Sequence, residues 1–213
     1  MKKHIVCFGD SNTHGYCADP KDCADGGDRF NEQERWTCLL QEKLGDEYLV
    51  LEEGLSGRTT VFRDPLNECM SGLDVIYSCL RTHEPVDLLI IMLGTNDTKE
   101  RFGANAECIA AGLERLVRKA KTVDCWKREP NILVIAPPPM HEGPTFPEMG
   151  NGFVEKSRLL ARQYALKAEL TGCAFLDAGS VTEFNRVDQM HLTKEGHRQL
   201  AGKLAELVPQ LLS

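Results

Sequence analysis

The chain has 213 residues, 42% of them apolar, enough to bury a full core and to form one domain over residues 1–213. Asp and Glu total 32 against 25 Lys and Arg, and the net charge of −7 speaks against a nucleic-acid or anionic-membrane partner. The nine cysteines are odd in number, scattered and free of any C-x-x-C pair, so they exclude a disulfide framework and a zinc site; buried thiols in a reducing, cytoplasmic setting are expected.

The first apolar run, IVCF at 5–8, has strand length and ends in Gly9-Asp10-Ser11-Asn12. With about five apolar residues before Asp10, it falls short of the roughly 7 to 15 of a signal h-region, and no segment approaches transmembrane length. An acidic loop follows at 17–32, which could gate substrate or meet another subunit; its aspartates 19, 22, 25 and 28 do not reproduce the EF-hand spacing, so a solvated loop is favoured over a cation site. A helix near 33–44 leads into a second strand, YLVLE at 48–52, which ends in EEGLSGRTT. A further helix near 70–82 precedes LLIIML at 88–93, which ends in GTND.

Ile109, Leu113, Leu116, Val117 and Ala120 then fall on one face of a helix of 3.6-residue period. The fourth strand, ILVIA at 132–136, opens a Pro-rich loop at 136–150, and the third and fourth strands do not alternate with polar residues, as expected where both faces of a parallel sheet are covered. A helix at 154–171, the strand AFLDA at 174–178 and a final helix carrying Leu200, Leu204, Leu207, Val208 and Leu211 complete the chain. Strands and helices alternate throughout, which predicts an α/β fold: a five-stranded parallel sheet between two helix layers, a three-layer α/β/α sandwich. Ligands of such sheets bind beyond the carboxyl ends of the strands, where GDSN, EEGLSGRTT, GTND and the prolines lie.

Ser11 at a strand end is by itself a turn or capping residue, a phosphate cradle or a nucleophile. Thr13 stands where G-x-S-x-G needs its second Gly, no phosphate-loop pattern is present, and Asp10 would put a carboxylate beside a bound anion. Near the other end, Asp188 precedes His191 by three residues, a spacing at which the carboxylate can hold the imidazole Nδ1–H and leave Nε2 to face a serine. No other histidine has a carboxylate three residues before it, and His197 is placed on the solvent face of the last helix. Gly57 can present a bare backbone N–H and Asn96 a side-chain amide to a developing oxyanion. Taken singly, each has an ordinary explanation as a turn residue or helix cap. Their co-occurrence at four strand ends of one sheet makes acyl transfer through serine the better account.

These four blocks, Gly9-Asp10-Ser11-Asn12, Gly54-Leu55-Ser56-Gly57, Gly94-Thr95-Asn96-Asp97 and Asp188-x-x-His191, resemble those of the SGNH, or GDSL-type, hydrolase family, in order and over nearly the whole chain. RW at 35–36, the triple proline, FLDAGS and VDQMHLT are similar to the bacterial arylesterase and acyltransferase subgroup. The resemblance implies a flavodoxin-like fold, no cofactor or metal, homo-oligomers, and cleavage of small acyl esters with transfer of the acyl group to alcohols or peroxide. On this reading Ser11, Asp188 and His191 are catalytic, the N–H groups of Ser11 and Gly57 and the Asn96 amide form the oxyanion hole, and the partner is a small-molecule ester. Asn12 replaces the Leu of the GDSL form, and Glu53 precedes Gly54 where many members carry Asn. Asn12, Met190 and the Pro-rich loop with Phe146 and Phe153 are the expected pocket neighbours. A carbohydrate acetylesterase, a lysophospholipase or thioesterase, and a non-catalytic small-ligand module are the alternatives.

Overall fold

Apolar side chains that alternate between two covered faces build the central sheet. The strands are β1 (Lys3–Gly9), β2 (Tyr48–Gly54), β3 (Leu88–Met92), β4 (Ile132–Ala136) and β5 (Ala174–Asp177), all parallel in the order β2-β1-β3-β4-β5. The computed structural model describes residues 1–143 and 147–213. Val6, Phe8, Leu89, Ile91 and Val134 join one core, against α3 (Gly72–Thr82), α4 (Ala106–Lys121) and α5 (Phe153–Thr171). Ile5, Cys7, Leu88, Ile90 and Ile135 join the other, against α2 (Trp36–Leu44) and α6 (Lys194–Leu211). The predicted α/β/α sandwich is the observed one.

Local signals set the helix ends. Asn105 caps α4 by accepting from Cys108 N at 2.8 Å, and Thr193 caps α6 by accepting from Gly196 N at 3.0 Å. All five residues of the predicted α4 stripe are buried.

Three expectations need correction. His197 is fully buried, because the α6 stripe of Leu200, Leu204 and Val208 runs back through it by one turn. Its Nδ1 accepts from Trp36 N at 3.1 Å and its ring meets Phe30 edge-on, while burial drives its pKa down to about 3 and keeps it neutral. Buried thiols are fewer than expected: Cys7, Cys17, Cys23 and Cys125 are buried, whereas Cys69 and Cys108 lie on the surface.

The acidic loop, in turn, is more than a solvated strap. Cys17, Cys23 and Phe30 form a small core of their own, and the buried carboxylate of Glu34 accepts from Ala24 N, Asn31 N and Lys194 Nζ. Asp22 accepts from Lys194 N at 2.8 Å, which ties the loop to the start of α6. Its aspartates serve different backbone and side-chain donors, and among the described residues the one group of three mutually close metal-ligand types is elsewhere: Glu53, Cys79 and His83. There His83 Nε2 lies 2.6 Å from Glu53 Oε1, and the charge of Arg58 acts on both Glu53 and Cys79, so this carboxylate already has a hydrogen-bond partner and a nearby cation.

Strand order reverses between β1 and β3, because the chain goes to one side of β1 first and then to the other; this opens a crevice at their carboxyl ends. One turn of helix, α1 (Ser11–His14), sits at that crevice. A Cβ on Gly54 would lie 2.2 Å from His14 N and 2.5 Å from Thr13 C, so only glycine lets β2 approach α1 this closely.

Candidate active site

Ser11 opens α1 directly behind β1, and the Asp10 carboxylate caps the turn by accepting from Asn12 N at 2.9 Å. The segment 188–192 reaches the same place from the far end of the chain. His191 Nε2 lies 2.8 Å from Ser11 Oγ, and His191 Nδ1 lies 2.6 Å from Asp188 Oδ2. The other carboxylate oxygen of Asp188 accepts from Met190 N and from Asn185 Nδ2, which fixes the acid behind the imidazole. Burial raises the Asp188 pKa, but the hydrogen bond and charge of His191 and the donors Met190 N and Asn185 Nδ2 outweigh it, and the net shift is downward. Serine, histidine and aspartate are all nearly buried.

A cleft of about 320 Å³ opens above this chain of hydrogen bonds. Ser11, His191, Gly57, Asn96 and Met190, each proposed from sequence, line it. Gly57 has φ +90°, a conformation that glycine adopts without strain, and a Cβ there would press on Met70 Sδ at 3.1 Å. Asn96 donates one amide hydrogen to Arg58 O at 3.2 Å, and a primary amide carries two. Arg58 itself is buried, donates to the carbonyls of Gly9 and Glu53, and lies over the Phe8 ring, bracing the ends of β1 and β2.

Two proposed pocket residues do not line the cleft. Both polar atoms of the Asn12 side chain are spent on the histidine loop: Nδ2 donates to Met190 O at 3.1 Å and Oδ1 accepts from Leu192 N at 3.0 Å. Its carbonyl also accepts from Trp36 Nε1. Asn12 is therefore a clamp that seats the 188–192 segment against α1. Phe153 packs into the core on the α2 and α6 side, because it is the first residue of α5 and turns inward there. Phe146 falls outside the described residues.

Tyr16, Ser56, Asn67, Met70, Thr95, Lys99, Glu148 and Met149 were not singled out from sequence and complete the cleft lining. The Tyr16 ring stacks obliquely on His191 with centroids 4.6 Å apart. A signal for four of them existed: Ser56 and Thr95 stand inside the GLSG and GTND blocks, Tyr16 follows the left-handed Gly15 that ends the Ser11 turn, and Lys99 closes the turn that begins at Asn96. The others come from irregular loops.

Behind the cleft lie two fully buried carboxyls. Burial lifts the Asp97 pKa, the Thr60 hydroxyl and N–H oppose the rise, Asp10 adds to it, and the result is about 7. Burial similarly lifts Asp10, against Asn12 N–H, His191 and Arg58, to about 6. A carboxyl whose folded pKa exceeds its unfolded value binds more protons when folded, so stability falls as pH rises through the window between the two values. Asp97→Asn is therefore expected to gain on the unmodified protein between pH 5 and pH 8, by up to on the order of 3 kcal/mol. Thermal unfolding of both proteins at the two pH values checks this; a Tm difference that does not change with pH contradicts it.

Residues 7–199 match the GDSL-like lipase/acylhydrolase family. The structure superimposes on the aryl esterase of M. smegmatis with a TM-score of 0.90 at 41% identity, covering 99% of this chain and 100% of that one. A carbohydrate acetylesterase from Sinorhizobium meliloti gives a TM-score of 0.90 at 35% identity, with 99% and 100% covered. At 17% identity, a lipolytic G-D-S-L protein from Veillonella parvula shares the fold with a TM-score of 0.68, covering 98% and 99%. Comparison with curated proteins gives no match. With the family match spanning residues 7–199 and those two structures above 30% identity over essentially their full length, the chain belongs to the GDSL-like lipase/acylhydrolase family.

Proposed function

We propose that the protein is a serine carboxylic-ester hydrolase for small acyl esters. The observation that carries this reading is the unbroken line Asp188 Oδ2, His191, Ser11 Oγ, with contacts of 2.6 and 2.8 Å, ending at a cleft that Gly57 and Asn96 also line. Asp188 accepts a hydrogen bond from the Nδ1–H of His191 and stays ionised, so Nε2 is the basic nitrogen and takes the Ser11 proton as Oγ attacks the ester carbonyl. Negative charge then develops on the carbonyl oxygen, where the N–H groups of Ser11 and Gly57 and the free amide hydrogen of Asn96 are the donors; each is worth roughly 2.7–4 kcal/mol in such a role. His191 returns its proton to the leaving alcohol. Water, activated by the same imidazole, attacks the acyl-Ser11 ester and releases the acid.

An alcohol or peroxide in place of that water would give acyl transfer by the same steps. The relatives that are an aryl esterase and a carbohydrate acetylesterase support the ester class. No helix among the described residues is long and apolar enough to cross a membrane. A cytoplasmic homo-oligomer free of cofactors remains the expectation that goes with this reading.

The cleft volume, about 320 Å³, suits a compact ester rather than a long acyl chain. Across 4-nitrophenyl esters from acetate to decanoate, kcat/KM is expected to peak at two to four carbons and to fall beyond, by about tenfold or more at decanoate. Activity that climbs toward the long chains would reverse the small-acyl assignment.

A further inference from the structure

Among the side chains that line the cleft and that the steps above do not use is a lysine. Lys99 is nearly buried, its side chain 4% exposed, and yet it lines the cleft. Burying an ammonium is costly unless partners replace its water. Its ionic partner among the described residues is Glu148 Oε1 at 3.5 Å, longer than the 2.7–2.9 Å of a good charge-assisted hydrogen bond. The competing attraction explains the distance: Arg101 Nη2 holds the other Glu148 oxygen at 2.8 Å and draws that carboxylate toward itself.

An ammonium has three hydrogens to donate, so Lys99 keeps donor capacity on the cleft side. Its position is also fixed. Lys99 N donates to Asn96 O at 3.2 Å, and Lys156 Nζ donates to Thr98 O at 3.1 Å, so the lysine stands one short turn from the amide assigned to the oxyanion. Thr95 lines the same wall, and its hydroxyl is buried without a hydrogen-bond partner among the described residues. Met70, Met149 and Met190 supply apolar lining. The cleft thus combines a row of polar groups beside the reacting carbonyl with thioether surface.

We infer that Lys99 is the specificity-determining residue that selects esters whose alcohol part carries hydroxyl groups, by donating to those oxygens while the thioethers cover the carbon skeleton. This rests on the esterase reading. Glu148 is then a competitor for the lysine, and its removal favours the substrate.

The test compares kcat/KM for 6-O-acetylglucose and for phenyl acetate in the full chain and in Lys99→Met, Lys99→Arg and Glu148→Gln, with folding of each variant checked by circular dichroism. Lys99→Met is expected to lower the ratio of sugar ester to aryl ester about tenfold, through KM, the size of one lost charged hydrogen bond. Lys99→Arg, which keeps the charge, is expected to restore most of the ratio, and Glu148→Gln to raise it at least about twofold. A ratio that Lys99→Met leaves unchanged, or that Glu148→Gln lowers, overturns the inference while the esterase reading stands. Absence of hydrolysis of both esters by the unmodified enzyme overturns the two together. The two variants act on the ratio in opposite directions, which a merely structural role for Lys99 would not produce.

Discussion

Ser11→Ala is expected to lower kcat for 4-nitrophenyl acetate by about 10⁶-fold, the loss seen when a serine nucleophile is removed from a triad of this kind. The residual rate then comes from the oxyanion donors and from substrate positioning, which the substitution leaves in place. Ser11 stands on a one-turn helix whose cap, Asp10, bonds to Asn12 N and not to the serine hydroxyl. Alanine at this position therefore removes Oγ without removing what shapes the turn. Steady-state kinetics with an active-site-titrated control measures the effect, and a variant with more than about one hundredth of the original kcat would contradict a nucleophilic Ser11.

Asp188→Asn is expected to cost about 10⁴ in kcat with little change in KM. The asparagine can keep the loop intact, since its carbonyl can still accept from Met190 N and Asn185 Nδ2 as Asp188 Oδ1 does. What changes is the atom 2.6 Å from His191 Nδ1: an amide N–H replaces a carboxylate oxygen. Two donors cannot face each other, so the imidazole proton moves to Nε2 and the base toward Ser11 is lost. Because the hydrogen bond and charge of His191 help hold the Asp188 pKa below the usual carboxylate value, it is ionised throughout the neutral and mildly acidic range. Equal kcat in the variant and the unmodified enzyme would remove Asp188 from the mechanism.

The sheet was legible because its residues obey one rule at a time. LLIIM and ILVIA are buried on both faces, so they read as unbroken apolar runs, and the stripe from Ile109 to Ala120 has a single helical period. That the structure brings Ser11, Gly57, Asn96, Asp188 and His191 to one candidate site was legible for a different reason: in the proposed role each needs a particular residue type at a strand end, so the types and their order carry the information. Residues chosen by three-dimensional packing were not legible. Asn12 stands beside Ser11 in sequence, but its amide is satisfied by Met190 O and Leu192 N, a pairing across nearly the whole chain that no local pattern reports.

His197 was misplaced because histidine is polar, although its position on α6 continues the buried stripe; a neutral ring accepting from Trp36 N satisfies that burial. Lys99, Glu148 and Asn67 come from turns and loops without periodicity, and it is the convergence of those segments on one cleft that gives them a role. The acidic segment read as solvated from its composition, yet Glu34, just beyond it, folds the segment around its own carboxylate.

The central claim is that Ser11 forms the covalent acyl intermediate. The most direct measurement treats the purified protein with a fluorophosphonate and locates the adduct by peptide mass spectrometry, alongside Ser11→Ala and heat-denatured controls. The account predicts one adduct per chain, on Ser11, formed in parallel with loss of esterase activity and absent from both controls. A protein that loses no activity and carries no label on Ser11, or one that is labelled and inactivated at another residue, would contradict it.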